Sequence, residues 1–173
     1  QDVDGNGVIT TDDRIIYSQR PDVTFGFNNT FNYKGFDLSV FLYARLGQWI
    51  AYDYNTTYRI NALENGGNVD YWTPENPTNA FPRPNKSKSY TQVTYYSTLK
   101  YEDGSFFKIR DITLGYTFKP ELLKHLNLSR LRVYATAKNF FTFSKIDNYD
   151  PEQGGSISFP MTKQLVFGLN VEF

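Results

Sequence analysis

The sequence has no cysteine, one histidine and one methionine in 173 residues. Without cysteine there is no disulfide framework, no thiolate zinc site and no thiol nucleophile, and redox usage says nothing of compartment. An excess of charge of one sign is also missing. Lysine and arginine number 18 against 18 for aspartate and glutamate, so no global field draws the chain to nucleic acid or to an anionic membrane surface. No run approaches the apolar length of a membrane helix, and the mean hydropathy is −0.52. That absence does not exclude a membrane. Strands of a transmembrane barrel alternate lipid-facing with interior-facing side chains, which keeps their average hydropathy low. His125 has no cysteine and no evident base or nucleophile partner, and no GxSxG, HExxH or phosphate-cradling glycine motif occurs. Catalysis is not expected.

What is abundant is ring. Aromatic residues make up 18% of the chain, with 14 tyrosines and 15 phenylalanines, a composition that favours strands over helices. Alternation confirms the bias. In VTFGFNNTFNY, Val23, Phe25, Phe27, Phe31 and Tyr33 fall on one face and Thr24, Asn28, Thr30 and Asn32 on the other. Lys34-Gly35 predicts a tight turn, after which Phe36, Leu38, Val40, Leu42, Ala44 and Leu46 carry the apolar series. A third strand is expected over Phe106 to Phe118, with Ile112, Leu114, Tyr116 and Phe118 on its apolar side. The same count places Lys108 and Arg110 on that side, so these charges are expected near an interface. After a connection from Lys119 to Arg130 with a helical turn, a fourth strand runs over LRVYATAKNFFTF and a fifth over KQLVFGLNVEF, ending on Phe173.

Loop lengths alternate between short and long. The segment from about Gly47 to Gly104 and the loop from Ser144 to Thr162 are long, whereas the turn at Lys34-Gly35 is short. Short turns on one side and long loops on the other are the pattern of an outer-membrane barrel, and the strands have about the nine to eleven residues needed to cross a tilted wall. Five strands close no barrel, since such barrels begin at about eight. The chain also opens at Gln1, directly against an acidic cluster, and reads as a fragment. A soluble five-stranded sheet or sandwich would bury the same alternating faces, so the pattern alone leaves both readings open.

Residues 1–14 contain DVDGNGVITTDD, spaced like a twelve-residue calcium loop. Asp2, Asp4 and Asn6 occupy positions one, three and five. Gly7 stands where the turn needs glycine, Val8 can offer its carbonyl, Thr10 can hold a water, and Asp13 closes the loop with a carboxylate shorter than the usual glutamate. Structural Ca²⁺ is expected there, although no flanking helix is evident. Other candidates are aromatic. Trp49, Tyr52, Tyr54, Trp72, Tyr95 and Tyr96 could stack on a sugar or pack under a partner, and could equally hold the long loop together or form an interfacial belt. Asp147, Asp150 and Glu152 could suggest a glycosidase pair, but a Gly/Pro-rich loop points to solvated turn formers.

Several stretches together resemble one family. DVDGNGVITTDD, YKGFDLSVFLYARLG, YWTPENP, EDGSFFKIRDITLGYTF, LRVYATAKNFFTFSKIDNYDPE and LVFGLNVEF are similar, in order and over nearly the whole chain, to the C-terminal portion of SusC/RagA-type TonB-dependent outer-membrane transporters. The resemblance implies an all-β piece, five antiparallel strands at the C-terminal end of a transmembrane barrel of the plugged type with about 22 strands. It implies long extracellular loops at Asp2 to Asp13, Gly47 to Gly104 and Ser144 to Thr162, and periplasmic turns at Lys34-Gly35 and Lys119 to Arg130. Phe173 resembles the terminal aromatic read by the barrel-assembly machinery. The implied function is import of a glycan or peptide oligomer across the bacterial outer membrane under a SusD-like surface lipoprotein lid. Its energy would come from the TonB complex through an N-terminal region outside this sequence. A secreted calcium-stapled binding module or adhesin is the alternative.

Overall fold

Alternating side chains become strands when both faces find different surroundings, and here five long strands form one antiparallel sheet. The computed structural model describes residues 3–8, 10–57, 67–87 and 96–173. The strands are β1 (Val23–Tyr33), β2 (Phe36–Leu46), β3 (Trp49–Ala51), β4 (Tyr101–Asp103), β5 (Phe106–Thr117), β6 (Arg130–Ser144) and β7 (Gln164–Glu172). The main sheet has the order β1-β2-β5-β6-β7, and β3 pairs with β4 in a separate two-stranded sheet. All these pairings are antiparallel. Lys34 and Gly35 turn the first hairpin with φ of 48° and 90°. Positive φ at both central residues matches the twist of the flanking strands.

Register gives the sheet two characters. One row reads Phe31, Leu38, Leu114, Ala135 and Phe167 across the five strands. The next reads Thr30, Ser39, Thr113, Thr136 and Val166. The Thr113 and Thr136 hydroxyls share a 2.8 Å hydrogen bond. On the apolar face Phe31, Leu114, Phe167 and Leu169 all remain more than half exposed, so no described part of the chain covers it. Nor is any helix among the described residues long and apolar enough to cross a membrane.

The strand count overturns the expected placement of Lys108 and Arg110. Pairing between β5 and its neighbours shifts register next to Arg110, where Ile109 and Asp111 take consecutive partners on β2. One extra residue in one strand is a β-bulge, which changes the parity of everything before it. Phe107 and Ile109 therefore join Ile112, Leu114 and Tyr116 on the apolar face, and Phe106 and Lys108 turn to the polar one. Lys108 is 0% exposed there, and Arg110 reaches back over the Tyr43 ring on the same side.

Glycine makes room on the polar face at two places. A Cβ on Gly115 would lie 2.5 Å from the Arg132 guanidinium and from the Asp37 carboxylate, and one on Gly168 would collide with the Tyr134 ring. The connection after β5 holds a short helix (Pro120–Leu123) and a 3₁₀ turn over Lys124–Leu126, with Pro120 at the helix start and Asn127 in the left-handed region at its end. A small buried hydrophobic cluster lies outside the main sheet. Ile50, Tyr52 and Ile146 form it, with Tyr54, Tyr149 and Ile157 packed against them, so it joins the loop after β2 to the loop after β6.

Candidate functional site

The first loop is built from side chains that fold back on their own backbone. Asp4 Oδ1 accepts from Asn6 N at 3.0 Å, and Asn6 Oδ1 accepts from Val8 N at 2.8 Å. Gly5 and Gly7 take φ of 75° and 82°, and Thr10 Oγ1 accepts from Asp12 N at 3.2 Å. Thr10 thus caps a 3₁₀ turn over Thr11–Asp13, a short helical exit from the loop. Asp13 is buried, and its carboxylate accepts from Val3 N at 2.6 Å and Thr10 N at 2.7 Å. Hydrogen bonds from the Thr10 and Val3 amides hold its carboxyl below the ordinary carboxylate value, which keeps it ionised as a cation ligand must be. Its Oδ1 also accepts from Asp4 N at 3.4 Å, so an ion at that oxygen would displace one of two amides. Asp2 lies outside the described residues, and among the described ones no three acidic or histidine side chains are gathered.

The polar face is held by ion pairs. Lys108 Nζ lies 2.6 Å from Asp150 Oδ2 and 2.8 Å from Glu152 Oε2, and Arg110 lies 3.1 Å from Glu152 Oε1. Asp150 also caps a 3₁₀ turn over Pro151–Gln153, accepting from Glu152 N at 3.0 Å. Asp150 and Glu152 are therefore not solvated turn formers; they clamp the β6–β7 loop onto β5. Both carboxylates are engaged as counter-ions of Lys108. Asp147 is exposed. Near the opposite end of the sheet Arg132 grips Asp37 with two nitrogens, at 2.5 and 2.8 Å, the fork geometry that makes Arg–carboxylate pairs strong. Sequence reasoning missed Lys108 as a clamp. The signal was there: in FFKIRDITLGYTF the apolar series steps by three between Ile109 and Ile112.

The predicted aromatics divide. Trp49 packs on Tyr17 with ring centroids 4.2 Å apart, and Tyr17 in turn meets Tyr101 at 5.9 Å, which fastens the start of the long loop to the segment before β1. Tyr52 is buried in the inter-loop core, and burial pushes its phenol up to about 12. Tyr54 exchanges two hydrogen bonds with the backbone of Asn68. Trp72 is 37% exposed beside an isolated bridge between Tyr71 and Phe81. Tyr95 lies outside the described residues, and Tyr96 begins a 3₁₀ helix that runs to Lys100. Phe173 continues the apolar series of β7 and is 94% exposed. His125 is exposed in the connection after β5.

No family model matches the sequence. The chain is 31% identical over 195 residues to TonB-dependent receptor P3 of Formosa agariphila, a match covering 99% of this chain and 18% of the relative. It is 31% identical over 181 residues to TonB-dependent receptor SusC of Bacteroides thetaiotaomicron, covering 99% of this chain and 17% of that protein. Among solved structures it superimposes on a chain of the RagAB peptide transporter with a TM-score of 0.74 at 27% identity, over 92% of this chain and 18% of the other. In the closed-closed state of the RagAB peptide importer the TM-score is 0.73 at 28% identity. The chain spans less than a fifth of the length of the curated relatives it matches.

Proposed function

Because the chain is related along nearly its whole length to the SusC/RagA-type TonB-dependent receptors, we propose that it forms five strands of the C-terminal wall of a large outer-membrane barrel. The barrel imports an oligomeric nutrient, a peptide or a glycan. The observation that carries this is the two-faced sheet. A contiguous apolar face runs across five strands with nothing described over it, while the opposite face holds paired charge. Lipid suits the first face and a polar interior the second. The free edges of β1 and β7 would leave backbone groups unpaired in hydrocarbon, so upstream strands pair with them.

In this arrangement the Lys34-Gly35 turn is periplasmic, and the long loops with their shared core face outside, beneath a SusD-like lipoprotein lid. Trp72 is the ring best placed to meet cargo or lid, and Trp49 serves the loop scaffold. TonB acts through a region outside this sequence. In the first loop Asp2, Asp4, Asn6, the Val8 carbonyl and Asp13 would hold Ca²⁺, which would supply a local cross-link. The arrangement of Asp4, Asn6 and Val8 and the ionised Asp13 support that assignment.

The test is fractionation of the native protein with its intact mass. Recovery from outer membranes only in detergent, at a mass several times 20.1 kDa, is expected. A water-soluble polypeptide near that mass would overturn the importer and favour the secreted calcium-stapled module.

A further inference from the structure

Four arginines belong to the polar face of the sheet, and three of them have a carboxylate. Arg110 pairs with Glu152 at 3.1 Å, Arg130 with Glu172 at 3.3 Å and Arg132 with Asp37. Arg45 pairs with no carboxylate among the described residues. Yet it is not loose. Its Nε donates to Tyr43 Oη at 2.8 Å. Its guanidinium carbon stands 5.5 Å from the Tyr43 ring centroid and 6.0 Å from that of Phe106, which is itself buried. The two rings and the phenol fix the plane of the guanidinium, and its terminal nitrogens have no partner among the described residues.

A half-buried cation held by aromatic faces, with its donor edge unused, is a preorganised receptor for an anion. Arg132 displays the finished form of the same device, its fork filled by Asp37. Position narrows the occupant. Arg45 is the next-to-last residue of β2, opposite Thr24 and Phe106, at the end of the polar face where the long loops emerge and far from the Lys34-Gly35 turn. Arg110 approaches the same Tyr43 ring to 5.4 Å, so positive charge gathers on both sides of one phenol.

We propose that Arg45 is a carboxylate-binding subsite on the cargo path, which gives this importer a preference for acidic oligomers. The proposal rests on the importer reading and deepens it by naming the cargo chemistry. A planar carboxylate takes two parallel N–H bonds from the free edge of the guanidinium, and the surrounding rings lower the competition from water. The carboxylate can come from an acidic peptide or from a uronic acid, and the same chemistry serves both.

The experiment uses the full-length transporter in detergent and calorimetric titration with two pairs of probes. One pair is a tetra-aspartate peptide and the tetra-asparagine peptide; the other is a tetragalacturonate and its methyl ester. The wild type is expected to prefer the acid of at least one pair by roughly tenfold or more, the size of a charge-assisted contact, and the responding pair identifies the source. Arg45→Gln should bring that ratio close to one, and Arg45→Lys, which keeps the charge without the fork, should leave part of it. An acid preference that survives in Arg45→Gln overturns the proposal, as does a wild type with no preference in either pair. Either result would leave membrane extraction and mass, on which the importer reading is tested, untouched.

Discussion

Replacing Lys108 by alanine in the full-length protein should release the β6–β7 loop while leaving the wall in place. Lys108 is fully buried between Asp150 and Glu152, and removing one member of such a pair costs about 3–5 kcal/mol because the survivors keep charge without a partner. Arg110 reaches only Glu152, so Asp150 bears most of the loss. Both carboxylates belong to the loop, and the energy therefore appears as local opening. Its reporters are the amides that closure protects, Asp53 N on Gly155 O at 3.0 Å and Gly154 N on Pro151 O at 3.0 Å. A shift of about 3 kcal/mol lowers their hydrogen-exchange protection roughly 100-fold. Amides of β6 in the rows of Thr136 and Ala135 should not follow. Adding Asp150→Asn to Lys108→Met, with Glu152 kept as the partner of Arg110, should restore much of the protection, since no carboxylate or guanidinium of the cluster is then left unpaired. Unchanged protection at Gly154 in Lys108→Ala would refute the clamp, and an equal loss across β6 would show that Lys108 holds the wall itself.

Leu114→Arg, on the apolar face, should destabilise the folded barrel by about 2–4 kcal/mol in urea unfolding of the full-length protein, whereas Thr30→Arg on the polar face should change it little; equal losses would deny that the two faces meet different media. Gly115→Ala would push a methyl into the Arg132–Asp37 pair and should cost about 1–3 kcal/mol, a cost that vanishes when Asp37 and Arg132 are both already alanine. Calcium chelation should speed tryptic cleavage after the exposed Arg14, and Asp2→Ala with Asp4→Ala should abolish the protection without stopping assembly; a variant that never reaches the membrane would contradict a local staple. With calcium removed, the contribution of Asp13 should be full above the unfolded carboxylate value of about 3.9. It should fade as pH falls below that, through the depressed folded value, a change read from exchange of the Val3 and Thr10 amides after correction for intrinsic rates.

Alternation alone located β1 and β2 residue for residue, because each has a clean period of two and a two-residue turn between them. β7 was legible to within one residue at each end. β5 was found but its first half was turned the wrong way, since a parity count carried backward through Arg110 has no means of registering an extra residue. That error hid the pairing of Lys108 with Asp150 and Glu152, some 40 residues away in sequence, and left those carboxylates looking solvated. The stretch from Gly47 to Gly104 read as irregular because β3 and β4 are three residues each, too short for a period to show. The first loop was legible as a motif; the capture of the Asp13 carboxylate by the Val3 and Thr10 amides was not read, although Thr10 and Asp13 have the spacing of a capping box.

The short ladder at the neck of the long loop bears on how the wall is assembled. β1–β2, β5–β6 and β6–β7 join neighbours in sequence, but the β2–β5 seam must close a loop of roughly 60 residues. Since each doubling of loop length costs about 0.6 kcal/mol, that seam carries on the order of 3 kcal/mol more closure entropy than a two-residue turn. Trp49 with Asp103, Ile50 with Glu102 and Ala51 with Tyr101 hold the ends of β2 and β5 close together, and this short ladder is expected to form ahead of the seam. From there the seam would close like a zipper, along the register from Arg45 and Phe106 down to Phe36 and Tyr116. Ile50→Gly should accordingly lengthen the refolding time of the full-length barrel more than it lowers its final stability. A residue that no part of the finished wall rests on would then set the pace at which two prefolded halves find their register.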